Sequence, residues 1–126
     1  MLGTASLVAF VPTRDPAAAR EFYESVLGLP FESEDAFALV FNANGVLLRV
    51  VNVAAVPEFH PAPFTILGWH VPSVARAAMA LGARGVAFEH YEGMGQDALG
   101  IWTSPSGARV AWFRDPDGNV LSITEH

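Results

Sequence analysis

The sequence contains no cysteine and no lysine. The first absence excludes disulfides, thiol nucleophiles, iron–sulfur clusters and Cys-ligated zinc. The second excludes Schiff-base catalysis, lysine-bound pyridoxal phosphate and a standard P-loop. Positive charge is scarce: all seven basic residues are arginine, against 13 acidic ones, for a net charge of −6 at pH 7. That balance argues against a nucleic-acid partner. No apolar run approaches the roughly 18 residues of a membrane span, and Arg49 interrupts the longest stretch, 46–56. The N-terminal MLGTASLVAFVPTRD lacks the basic region of a signal peptide, so a cytoplasmic protein with no membrane partner is expected. No GxSxG, no HExxH and no Gly-rich phosphate loop before a helix is present.

What remains is 126 residues, 52% apolar, 11% aromatic and 16% charged, enough for one domain with its own core. Leu7 to Val11 reads as a buried strand stopped by Pro12. Asp15-Pro16 starts a helix, with Ala19, Phe22, Tyr23 and Val26 at helical spacing and Gly28 as its left-handed terminator. Phe31 to Ser33, Phe37 to Asn42 and Val46 to Val53 read as strands, the last two joined by a hairpin turn at 42–45. A proline-rich connector, AAVPEFHPAP, follows.

The pattern then restarts. A strand from Thr65 to Val71 ends in Val-Pro, as the first did. Ser73 caps a second helix that ends at Gly82 or Gly85, and Val86 to Tyr91 is extended. Leu99 to Ser104 and Arg109 to Arg114 form a hairpin. Asp115-Pro116-Asp117-Gly118 turns into a last strand, Asn119 to Thr124. The shared order of elements predicts an internal repeat. A ferredoxin-like αβ dimer uses similar element counts, but its βαββαβ order leaves too few strands after the second helix.

Three segments carry a family resemblance: DPAAAREFYESVLGL at 15–29, LGWHVPSVARAAMALGARGVAFE at 67–89 and AWFRDPDGNVLSITE at 111–125. With these the chain resembles the vicinal oxygen chelate superfamily of glyoxalase, bleomycin-resistance and extradiol dioxygenase relatives. The resemblance implies an α+β fold of two βαβββ modules, about 4–56 and about 64–126, forming a cupped mixed sheet around a small ligand. It also implies a homodimer. Metal-dependent members place four His, Gln or Glu ligands on the first and last strand of each module. Here those positions fall at Val8 (or Ser6), Arg49, Ile66 and Ser122. None is a good ligand, and an arginine puts positive charge where the cation would sit. No metal or other cofactor is therefore expected. A retained divalent ion would need a shifted site, built from His70 with Glu89 or Asp97.

Strand alternation assigns faces within that cup. Leu47, Arg49 and Val51 line it from one strand. Ile66, Gly68 and His70 line it from another, and Val120, Ser122 and Thr124 from the last, with Val110, Trp112 and Arg114 sharing a face. Arg49 reads as an anchor for a carboxylate, phosphate or enolate oxygen. Its alternatives are an internal ion pair or an exposed edge position. His70 reads as a proton acceptor or ligand-orienting group, or as a histidine bonded within the sheet. Trp102 and Trp112 read as stacking walls for a planar ligand, or as core. The stretch HYEGMGQDALG, with Gly93 and Gly95, reads as a flap at the cup mouth or as a plain surface loop. Two functions follow. One is a metal-free protein that binds a small, planar or anionic molecule through Arg49, His70, Trp102, Trp112 and Ser122. The other is an enzyme of the lyase, isomerase or dioxygenase type, with His70 as base or a shifted metal.

Overall fold

The first strand does not stop at Pro12. In the computed structural model, which describes residues 1–126, β1 runs Val8–Thr13 and contains it. β1 is the outer strand of its sheet and pairs only with β4, so the missing amide proton breaks no ladder bond there.

The chain divides into two compact units, Met1–His60 and Pro61–His126. In the first, α1 (Pro16–Arg20) begins as its sequence dictates. Pro16 opens it, and the Asp15 carboxylate accepts from the Ala18 amide at 3.2 Å. The helix then widens into a π-helical stretch, Glu21–Val26, where the Leu27 amide reaches back to the Phe22 carbonyl at 2.9 Å. Gly28, at φ 77°, ends it. Nothing in the 3.6-residue spacing had signalled the wider turn.

β2 (Phe31–Glu34), β3 (Ala38–Ala43) and β4 (Val46–Asn52) complete a mixed sheet of order β1-β4-β3-β2, with β1 parallel to β4. Asn44 and Gly45 both have positive φ, the backbone that a two-residue hairpin needs. Helix α1 lies on β3 and β4. Between them Val11, Ala19, Tyr23, Leu39, Phe41, Leu48 and Val50 form the buried core.

The second unit repeats the order: β5 (Thr65–His70), α2 (Val74–Ala83), β6 (Trp102–Thr103), β7 (Arg109–Arg114) and β8 (Val120–Glu125). Its sheet order is β5-β8-β7-β6, with β5 parallel to β8. Two side chains cap α2. Ser73 Oγ accepts from the Arg76 amide at 3.2 Å, and Glu125 Oε1, on β8, accepts from the Val74 amide at 2.9 Å. Gly85 (φ 93°) follows its end. The helix packs on β7 and β8, over a core of Val74, Ala78, Ala111, Phe113, Leu121 and Ile123.

Two extended segments expected here are shorter than their composition suggests. Val86 to Tyr91 contributes one bridge, Phe88 to Phe113, and one amide bond from Glu89 to the Trp112 carbonyl at 2.8 Å. Leu99 to Ser104 shrinks to Trp102–Thr103. The free edge of β7 has room for both only end to end, so residues 90–101 loop out between them. The Asp97 carboxylate takes the amides of Leu99 and Ile101, at 2.9 Å each, out of reach of any ladder. Both units are thus mixed four-stranded sheets with helices on one side, an α+β architecture. No helix is long and apolar enough to cross a membrane.

Candidate functional site

Each sheet has one face packed by its helix and one turned away from it. On the first sheet the packed face carries Val11, Leu39, Phe41, Leu48 and Val50. Alternation then puts Val8, Phe10, Val40, Leu47 and Arg49 on the opposite side. Phe10 is 60% exposed and Leu47 39%. This is an apolar surface of the kind that marks a binding area. Arg49 stands in its middle, between cross-strand partners Phe10 and Val40.

The Arg49 side chain is half-buried, yet it makes no ion pair and no hydrogen bond. The internal ion pair that would explain such a charge is therefore missing. Asp35, fully exposed in the β2–β3 turn, feels Arg49 only weakly. Its carboxyl is held below the usual aspartate range mainly by the amides of Phe37 and Ala38, at 2.8 and 2.9 Å, and in smaller part by the Arg49 charge.

On the second sheet, register gives two rows. Gly68, Ser122 and Trp112 are cross-strand neighbours, as are His70, Thr124, Val110 and Trp102. These residues alternate with the buried Ala111, Phe113, Leu121 and Ile123, so they share the side away from α2. Trp102 and Trp112 are half-buried, with ring centroids 6.1 Å apart, and Tyr91 meets Trp112 edge to face at 5.6 Å. The tryptophans therefore do share a surface, and Tyr91 joins them from the loop. Ser122 is only 8% exposed. A β-carbon on residue 68 would come within 2.6 Å of its hydroxyl, which explains the glycine. His70 is exposed and stacks on His126, centroids 5.4 Å apart and planes 12° from parallel. No group hydrogen-bonds to its imidazole, so nothing orients a ring nitrogen for proton transfer.

In the register Arg49 pairs with Phe10 and Ser122 with Gly68, residues two positions on from Val8 and Ile66, and neither pair offers a metal donor set: a phenyl ring beside a guanidinium, and a bare glycine beside a hydroxyl. No three His, Asp or Glu side chains converge anywhere to hold an ion. The shifted site fares no better. Glu89 is taken by Arg114 at 2.8 Å, and Asp97 by the two loop amides. These residues do not fit a divalent metal, which needs two or three donors at about 2 Å.

The solved structures that this chain resembles extend over nearly all of it. Lactoylglutathione lyase from Agrobacterium tumefaciens is 19% identical, with a TM-score of 0.73 over 97% of this chain and 93% of that one. A glyoxalase/bleomycin resistance protein/dioxygenase superfamily member from Sphaerobacter thermophilus is 19% identical, with a TM-score of 0.75 over 100% of both. TnmS3, an antibiotic binding protein from Streptomyces sp. CB03234, is 23% identical, with a TM-score of 0.72 over 99% and 98%. No curated protein matches the sequence. These likenesses establish the fold. A family model matching residues 5–123 establishes the lineage. With paired strand–helix–strand–strand–strand units and a sequence match over both, the chain belongs to the Glyoxalase/Bleomycin resistance protein/Dioxygenase superfamily.

Proposed function

We propose that this protein binds a small, planar, anionic molecule without a metal, as a binding protein and not a metalloenzyme. One observation carries the reading: Arg49 is a half-buried cation with no partner, set in an apolar sheet face. Leaving a charge so placed costs stability, and a ligand carboxylate or enolate would complete it with bidentate hydrogen bonds. The second unit, taken by itself, carries an aromatic surface of Trp102 and Trp112, and TnmS3 is itself an antibiotic binding protein. A cytoplasmic homodimer goes with this reading. The outer strands β1 and β5, each paired on one side only, support a second copy as partner.

The enzymatic alternative draws on His70, which is accessible on the second sheet. The lack of any orienting group beyond His126 weighs against it. A thermal-shift screen of aromatic carboxylates against their uncharged amides, in chelator, tests the proposal. A ligand at 100 times its dissociation constant adds about 2.7 kcal/mol of stability. Carboxylates should shift the melting temperature, amides should not, and Arg49→Ala should lose the shift. Equal shifts from acid and amide, or none from either, would sink the reading.

A further inference from the structure

Beside Asp97, one further side chain organises the loop 90–101. Gln96 Oε1 accepts from the Tyr91 amide at 2.6 Å, and Gln96 Nε2 donates to the Glu89 carbonyl at 2.8 Å and the Gly100 carbonyl at 2.7 Å. The acceptor and both donors of the amide are thus engaged. The pattern demands glutamine: a glutamate would set an anionic oxygen against two carbonyls. Gly93, Gly95 and Gly100, all at positive φ, let the backbone fold around it. The stretch is a surface loop whose centre is filled by the Gln96 amide.

The clasp has a consequence for the aromatic cluster. It fixes the backbone of Tyr91, whose ring stands 74° from the plane of Trp112, while Trp102 lies tilted 37° from Trp112. The two indoles are tilted neighbours, and Tyr91, 37% exposed, stands steeply to Trp112. A flat ring lying on the indoles also meets the tyrosine ring, whereas a puckered one touches fewer of the three. We infer that Gln96 is a positioning residue that holds Tyr91 as the wall of an aromatic subsite, and that this wall selects flat ring systems over saturated ones. The inference rests on the small-molecule reading above and names the class of ligand that this sheet accepts.

The test compares 2-naphthoate with its saturated counterpart, decahydro-2-naphthoate, which has the same charge and a puckered ring. The wild type should prefer the flat probe. Tyr91→Ala and Gln96→Glu should each weaken 2-naphthoate about 3- to 10-fold, the range of one aromatic contact, and leave the saturated probe unchanged. Tyr91→Phe should retain the preference. The double variant should be no worse than the more affected single one, because both act on one ring. Near-ultraviolet circular dichroism of the tryptophans should change in Gln96→Glu before any ligand is added. If Gln96→Glu does not fold, Tyr91→Ala alone decides. Binding of 2-naphthoate unaffected by Tyr91→Ala, or equal losses for both probes, overturns the assignment. Unchanged dichroism in a folded Gln96→Glu overturns it as well. A wild type that binds neither probe instead brings down the small-molecule reading itself.

Discussion

Phe10 and Arg49 stand opposite each other across the parallel strands β1 and β4, an exposed phenyl ring beside a half-buried guanidinium without an ion pair. A superfamily associated with metal ligands on these strands has here a cation and an apolar neighbour. Replacing Arg49 by methionine should leave the fold as stable, or more stable by up to about 1 kcal/mol, because an unpaired charge leaves an apolar surface. Affinity for an aromatic carboxylate should fall at least about 10-fold, since a hydrogen bond to a charged group contributes about 1.5–3 kcal/mol. Denaturant unfolding and calorimetric titration of the same variant check both halves.

Gly68 and Ser122 should be coupled. Gly68→Ala forces its new methyl within 2.6 Å of Ser122 Oγ, where the exposed outer strand β5 runs beside the buried β8. The cost should be about 1–3 kcal/mol, as for other overpacked sites. Adding Ser122→Ala should recover part of it, because the Ser122 β-carbon lies at an ordinary 3.9 Å. Additive losses in urea melts would show that the hydroxyl is not what excludes a side chain at 68.

Much of this was legible in the sequence, and the reasons for the rest are physical. Asp15-Pro16, Ser73 and Asn44-Gly45 announce caps and a turn through local chemistry, and the chain obeys them. The faces of β4 and β7 followed from alternation alone. The widened turn after Arg20 was invisible, because a single added residue leaves the apolar spacing nearly unchanged. The bulge between Thr65 and Leu67 was equally invisible, because nothing in an apolar strand marks a single unpaired residue. Phe10 lies in a short apolar run, where an aromatic residue reads as core, yet it is 60% exposed. Gln96 carried no pattern at all: its three bonds reach backbone groups up to seven residues away.

Asp35 sets a pH dependence of stability. Its folded-state pKa is lowered, first by the Phe37 and Ala38 amides. Its contribution is therefore full above the ordinary aspartate pKa and is lost as pH falls through the lowered one. Asp35→Ala should melt earlier than the wild type at pH 7, and the difference should close on acidification below that range. A difference that stays constant down to the acid limit would show that the turn does not depend on the ionised carboxylate.

The second cap of α2 offers a further check. Glu125→Ala removes the bond to the Val74 amide while Ser73 keeps its own. Loss of one cap should cost about 0.5–2 kcal/mol. Ser73→Ala should cost a similar amount, with both read by thermal unfolding.

Side chains unfit for metal occupy the sheet faces turned away from the helices. Elemental analysis of protein purified without chelator tests it most directly. Less than about a tenth of an equivalent of any divalent transition metal is expected, since no convergent donor set exists to retain it. A full equivalent that survives gel filtration and is lost only to chelator would contradict it.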